Sequence, residues 1–215
     1  MKIGILGSGA VGQTLGAGFL KHGHHVMLGT RDQRKPEIAK WLQSTPGATA
    51  GTFEQTAQFG ELIVLCTAGK AAENAVALAG AENLASKTVM DATNPIAEVP
   101  PTGGILSFFT GPNDSLGERI QTLLPEAHVV KAFNSVGAGR MVNPSYTQGK
   151  PTMFYCGDHA EAKSTVARII EQLGWTPYDC GGIVACRAIE PLCMLWCSRG
   201  FQHNLWDHAF ALLTA

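Results

Sequence analysis

The chain has 215 residues, 45% of them hydrophobic, and 16 basic residues against 17 acidic ones give a formal net charge of -1. That length suits one large domain, or one domain with a small extension, and the apolar content is enough for a sizeable core. The even charge balance excludes the clustered Lys and Arg footprint of a nucleic-acid binder, and no apolar run reaches the roughly 18 residues that cross a bilayer. The first residues lack the pattern of a secretory signal. The expectation is a soluble cytoplasmic protein with no nucleic-acid and no membrane partner.

In chain order, Ile3, Ile5 and Leu6 read as a short buried strand, and Gly7-Ser8-Gly9-Ala10-Val11-Gly12 follows it as G-x-G-x-x-G. Gln13 to Lys21 then reads as a helix. Strand, glycine turn and helix together form the fingerprint of a dinucleotide-binding unit. The first glycine permits the tight turn, the second lets backbone approach a pyrophosphate, and the third lets helix and strand pack closely. The helix N-terminus offers free N–H groups and a positive dipole end to the phosphates.

His25 to Leu28 makes a second strand that ends at Gly29-Thr30-Arg31, and Pro36 to Gln43 makes a helix stopped by Thr45-Pro46-Gly47. Thr52 to Phe59 is helical. Leu62 to Cys66 is a third strand, apolar throughout, as in a parallel sheet covered on both faces. Lys70 to Leu78 is an alanine-rich helix. Lys87 to Asp91 is a fourth strand, followed by Ala92-Thr93-Asn94-Pro95 and a Pro- and Gly-rich loop from Ile96 to Gly111. Ser115 caps a helix that runs to Leu124. Ala127 to Phe133 and Pro151 to Cys156 are the fifth and sixth strands. Asp158 is the expected cap of a helix from Ala160 to Leu173, and Trp175 to Tyr178 is a seventh, short strand. Two further helices, about Arg187 to Ser198 and His203 to Leu213, close the chain.

This alternation predicts an α/β fold, a doubly wound, mostly parallel sheet of the Rossmann type. Residues 1–180 form the dinucleotide-binding domain. Residues 181–215 form a small C-terminal helical extension that packs on the sheet or on a dimer partner. In such sheets ligands bind outside the carboxyl ends of the strands. The informative positions are therefore Gly7 to Gly12, Thr30-Arg31, Thr67-Ala68, Thr93-Asn94-Pro95 and Asn134-Ser135.

The end of the second strand selects the dinucleotide. An NAD site carries an Asp or Glu there to accept hydrogen bonds from the adenine ribose. Here the place, 18 residues after Gly12 (30 − 12), holds Thr30 and then Arg31, with Arg34 and Lys35 beyond. A carboxylate would repel a 2′-phosphate, whereas a hydroxyl, a guanidinium and an ammonium bind one. Asp32 comes after Arg31 and is expected to face solvent or to pair with Arg34. The cofactor is predicted to be NADP(H) rather than NAD(H).

With those residues in view, the combination of Gly29-Thr30-Arg31, Thr93-Asn94-Pro95, Val129 to Asn134 and Cys156-Gly157-Asp158 resembles the NADPH-dependent F420 reductase family. It is also similar to the cytosolic reductase domain of the six-transmembrane metalloreductases. The resemblance covers nearly the whole chain, including Glu190-Pro191-Leu192. It implies hydride exchange between NADP(H) and a deazaflavin of the F420 kind, or a flavin (FMN or FAD) in the membrane-bound relatives. It also implies a 2′-phosphate site of a hydroxyl, an Arg and a Lys four residues later, which Thr30, Arg31 and Lys35 match, and a homodimer. The segments Ala92 to Pro95 and Phe133 to Val136 depart from the F420 reductases proper and look more like the metalloreductase version.

Hydride transfer to a flavin-type ring asks for two rings face to face in a dry pocket and few titratable groups. The neutral strand ends fit that need, with Asn94 and Thr67 as candidates to hold the carboxamide or ribose. The cofactor-binding set is thus Gly7, Ser8, Gly9, Ala10, Val11, Gly12, Thr30, Arg31, Lys35, Cys66, Thr67, Ala68, Asn94, Pro95, Phe133 and Asn134, with no catalytic side chain and no metal ligand assigned. An acid–base reductase of a small carbonyl or imine is the alternative, for which Lys131 and His128 are the candidates. A non-catalytic NADP(H) sensor is a third. Lys131, mid-strand, is expected to snorkel at the sheet's end. Glu190, beside Pro191, is expected in a helix cap or first turn. The six cysteines show no Cys-x-x-Cys pair and read mostly as buried thiols. The aromatic stripe of Trp196, Phe201, Trp206 and Phe210 reads as core or dimer contact.

Overall fold

The computed structural model describes residues 1–213 of the chain. The last two positions of the expected C-terminal extension, Thr214 and Ala215, lie outside the described residues. The strands are β1 (Lys2–Leu6), β2 (His25–Gly29), β3 (Thr49–Gly51), β4 (Leu62–Leu65), β5 (Thr88–Asp91), β6 (His128–Lys131), β7 (Thr152–Gly157) and β8 (Thr176–Asp179). The helices are α1 (Ala10–Lys21), α2 (Pro36–Ser44), α3 (Phe53–Phe59), α4 (Ala72–Ala79), α5 (Ala81–Leu84), α6 (Leu116–Leu123), α7 (Ala160–Gln172) and α8 (Cys186–His203).

The strands form one eight-stranded sheet in the order β3-β2-β1-β4-β5-β6-β7-β8. All neighbours run parallel except β6 and β7. The first six in sequence give the 3-2-1-4-5-6 order of the Rossmann fold, which places the switch point between β1 and β4. Apolar side chains leave both faces of the sheet. Leu15 and Phe19 of α1, Ile38 and Trp41 of α2, and Val166, Ile169 and Ile170 of α7 close one face. Phe53 and Ala57 of α3, Ala72, Ala75, Val76 and Ala79 of α4, and Leu116 and Ile120 of α6 close the other. That two-sided cover explains the unbroken apolar run of β4, where all four residues are buried. A smaller cluster, Cys156, Cys186 and Ile189, seats α8 against β7.

The strand β3 was not expected. Its three residues, Thr-Ala-Gly, carry no hydrophobic pattern, and they pair with β2 because the Pro46-Gly47 turn delivers them there. Thr52 then caps α3 in a reciprocal box with Gln55, at 3.1 and 2.9 Å. Such a cap contributes ~1 kcal/mol. Asp158 does not cap α7. His159 does, its Nδ1 accepting from Ala162 N at 3.3 Å, while Asp158 Oδ1 accepts from Ile183 N at 2.8 Å. Pro177 is tolerated in β8 because that strand is the sheet edge.

The C-terminal part also differs from expectation. One helix, α8, extends from Cys186 to His203 and contains Pro191. It stops at Asn204, which adopts φ 54° in the left-handed region. No second helix follows: residues 204–213 run as an irregular tail. A backbone bond from Thr152 N to Phe210 O and a bond from Leu212 N to Thr152 Oγ1 pin that tail beside β7. Two of the tail's backbone groups, Phe210 O and Leu212 N, thus find partners at the strand end. Trp196 alone of the aromatic stripe is fully packed, stacking on His208 with its Nε1 bonded to the His208 carbonyl. Phe201 and Trp206 remain exposed. Among the described residues, no helix is long and apolar enough to cross a membrane.

Candidate functional site

The glycine turn closes tightly over β4. Gly7 sits at φ 135°, a region that L side chains rarely adopt, with its Cα face against the Cys66 carbonyl. A Cβ on Gly12 would run into the Gly7 carbonyl oxygen. Gly9 differs, since a Cβ there would meet nothing within 4 Å and would project into free space. Gly9 is the N-cap of α1, and no side chain caps that helix. The first-turn N–H groups of α1 are thus left for an anion.

In front of this turn lies a cleft of about 650 Å³ across the β1–β4 switch point. Gly7, Ser8, Gly9, Thr30, Arg31, Lys35, Cys66, Thr67 and Ala68 line it, all of them expected from sequence. Thr30 is buried. Its hydroxyl accepts from Ser8 Oγ at 3.2 Å and from Asp32 N at 3.3 Å, so it fixes the turn that presents Arg31. Asp32 is turned away onto Arg34, with Oδ1 3.4 Å from Nε. Arg31 and Lys35 are exposed, and no ion pair engages either among the described residues. The cleft thus pairs two free cations at one end with open N–H groups at its centre, which suits a dinucleotide carrying a 2′-phosphate.

Sequence reading missed several walls of this cleft. Gln13, Glu37, Ile38, Phe53, Lys70 and Asn74 also face it, and Glu37 sets one acid beside the cations Arg31, Lys35 and Lys70. Phe53 follows the unforeseen β3, so its place was hidden with that strand. Gln13 had a local signal, since its amide donates to Ser8 O at 2.9 Å across one turn of the fingerprint.

Beyond Thr67 and Ala68 the cleft continues into a chamber of about 390 Å³. Val11, Asn94, Ala92, Thr93, Ile96 and Ala97 wall it, and Lys70 pairs with Glu98 at its mouth. The Thr67 hydroxyl is buried without a hydrogen-bond partner between the two spaces. An unsatisfied hydroxyl at that position suits a polar ligand group. Burial, with Asp91 nearby, pushes the Cys66 thiol up to about 12, so it stays protonated.

Five expected contacts do not line either space. Ala10 opens α1 on its exposed side, and Gly12 acts by letting α1 approach Gly7. Pro95 is buried behind the wall, its carbonyl accepting from Phe109 N at 2.9 Å. Phe133 belongs to the core: it is fully buried at φ 60°, and its ring meets Trp175 edge-on at 6.4 Å. Asn134 stands one layer back. Its Nδ2 donates to the Ile189 carbonyl at 2.9 Å, and the Asn134 carbonyl accepts from Asn94 Nδ2 at 2.9 Å.

Lys131 does not snorkel. It is fully buried, with Nζ 2.6 Å from Asp91 Oδ2 and 3.0 Å from Glu190 Oε1. It also donates to the Thr93 carbonyl at 3.0 Å. Glu190 lies inside α8 and caps a different helix: its carboxylate accepts from Leu116 N at 3.0 Å and Gly117 N at 2.9 Å at the start of α6. Burial alone would lower the Lys131 ammonium. Asp91 and Glu190 more than offset it and hold the group charged, above the ordinary lysine range.

Elsewhere, a shallower cleft of about 340 Å³ lies between α4 and α6. It is lined by two ion pairs, Arg119–Asp114 and Arg187–Glu118, and shares no lining residue with the cleft at the glycine turn. Among the described residues, no group of three or more His, Cys, Asp and Glu is gathered for a metal.

A Rossmann sheet, an uncapped glycine-turn helix and a cationic end for a 2′-phosphate define the class: an NADP-dependent oxidoreductase. The comparisons agree with that class. Residues 2–95 match the family model described as NADP oxidoreductase, coenzyme F420-dependent. A crystal structure from Arthrobacter sp. FB24, provisionally described as an F420-dependent NADP reductase, is 34% identical with a TM-score of 0.93, over 100% of both chains. The chain belongs to the F420-dependent NADP oxidoreductase family. It is also similar to the metalloreductase STEAP3 of Rattus norvegicus, with 28% identity over 192 residues. That match covers 89% of this chain and 36% of the relative, so the chain spans about a third of the length of the curated relatives it matches. An imine reductase from Aspergillus terreus shares the fold at a TM-score of 0.66 and 19% identity, over 90% of this chain and 60% of that one.

Proposed function

We propose that this chain passes hydride between NADPH and a flat, flavin-type acceptor, a deazaflavin such as F420 or a flavin. NADPH, when bound, supplies the hydride. Arg31 and Lys35 would hold the 2′-phosphate, the α1 N-terminus the pyrophosphate, and Thr67 with Asn94 the nicotinamide end.

The observation that carries this reading is the second chamber. It opens directly beyond Thr67, and its walls offer neither a His nor a Tyr nor an Asp. Its ionisable groups are Cys66, held as a thiol, and the Lys70–Glu98 pair at the mouth. A carbonyl or imine substrate needs a proton donor as hydride arrives. A flavin-type ring spreads the arriving charge over itself and asks chiefly for orientation and a dry wall. The family match to F420-dependent enzymes supports the same reading.

Turnover assays with one acceptor at a time test the proposal. NADPH should be oxidised with F420, FMN or FAD and should persist with a cyclic imine or a simple ketone. Oxidation by the imine alone would move the assignment to imine reduction.

A further inference from the structure

Three buried charged side chains remain unused by the site described above, and they converge on its wall. Lys131 ends β6, Asp91 ends β5, and Glu190 comes from α8, 59 residues further along the chain (190 − 131). Their side chains are 0%, 0% and 2% exposed. Such a cluster is costly to bury and contributes little to stability that an apolar set could not supply.

Its bonds have a direction. Asp91 Oδ1 accepts from Thr93 N at 2.9 Å and from Thr93 Oγ1 at 2.7 Å. Lys131 Nζ donates to the Thr93 carbonyl. Both polar groups of the Thr93 backbone and its hydroxyl are therefore fixed by charged partners. Thr93 and the next residue, Asn94, form the chamber wall beyond Thr67. From the other side, Asn134 bonds both Asn94 and the Ile189 carbonyl of α8.

We propose that Lys131, held by Asp91 and Glu190, is a positioning residue that fixes the Thr93–Asn94 wall where the nicotinamide end of the cofactor rests. It has no exposed surface, so it acts through Thr93 and touches no reacting atom. The anchors for the rest of the cofactor, the glycine turn and Arg31, lie on β1, α1 and the β2 loop, and the hydrogen bonds and ion pairs of this cluster go elsewhere. The cluster therefore governs one end of the ligand alone. The inference rests on the NADP(H) reading of the cleft.

Binding of two ligands to two proteins tests it. Lys131→Met alone would leave two buried carboxylates without a cation, so the test protein is the double variant Asp91→Asn, Lys131→Met. The Asn keeps an oxygen for Thr93 N and Oγ1, and Glu190 keeps its place on α6. The ligands are NADPH and 2′-phospho-ADP-ribose, which lacks the nicotinamide. The double variant should bind the fragment as the wild type does, and should bind NADPH about fivefold or more weakly. The fluorescence enhancement of bound NADPH should fall with it. Equal weakening of both ligands would show a general loss of structure and overturn the proposal. So would unchanged binding and fluorescence of NADPH. If the wild type binds neither ligand, the cofactor reading itself fails and takes this inference with it.

Discussion

Lys131 and Asp91 face each other across β6 and β5, in register, with Nζ 2.6 Å from Oδ2 and neither side chain open to solvent. Their pairing is part of the core and part of the site wall at once. Removing only the cation exposes its cost. Lys131→Met should destabilise the fold by about 3–5 kcal/mol, because two carboxylates lose their partner in a buried place. Urea unfolding of the single variant and of Asp91→Asn, Lys131→Met checks this. The double variant should recover part of the loss, and equal loss in both would show that charge pairing is not the cause.

Arg31 should carry dinucleotide selectivity. Arg31→Ala should weaken NADPH by about tenfold or more, the effect expected of one lost charge-assisted phosphate contact. NADH, lacking that phosphate, should bind with little change. Titration of both cofactors reads the difference. Equal losses would place Arg31 outside the phosphate site.

Gly12→Ala puts a methyl against the Gly7 carbonyl. The helix must then retreat from the turn, at a cost of about 1–3 kcal/mol for overpacking. Cofactor affinity should fall along with stability, since α1 carries the N–H groups that face the cleft. A variant that keeps full NADPH affinity would separate the turn from phosphate binding.

Two histidines should make the fold less stable as pH falls below 6.5. Burial lowers the pKa of His128, helped by His159 stacked on it at 3.7 Å, and burial also lowers that of His208. Each is depressed in the folded chain below the ordinary 6.5. Between the folded value and 6.5 the unfolded chain binds more protons, so stability rises with pH there. This contribution is complete above 6.5 and is lost as pH falls through the folded values. Thermal unfolding followed downward from 6.5 should show a falling midpoint, and His128→Asn should flatten it. A midpoint that holds steady or rises would contradict the assignment.

Local chemistry made much of this molecule legible from sequence. The β1–glycine turn–α1 unit, the apolar run of β4, and Arg31 in place of an acid each announce themselves within a few residues. So does Ser115, which caps α6 and bonds Glu118 N at 3.2 Å. What was hidden is tertiary. Strand β3 is three small residues with no pattern of their own. Its concealment hid Phe53 as a wall of the cleft. Lys131 was visible as an oddity in an apolar strand, but its partners lie on β5 and on α8. Nothing beside Glu190 in sequence points to α6, whose N–H groups it accepts. Phe133 was misplaced because strand-end position suggests the cleft, while its left-handed backbone turns the ring into the core.

The most direct measurement is a single-turnover reaction of the protein with NADPH and F420, FMN or FAD, run in parallel with NADPH deuterated at the transferring position. The nicotinamide absorbance should decay as the acceptor ring is reduced, in one step, and that step should slow with deuterium. NADPH that stays reduced with all three rings, or oxidation only when an imine or ketone is supplied, would contradict hydride transfer to a flavin-type acceptor.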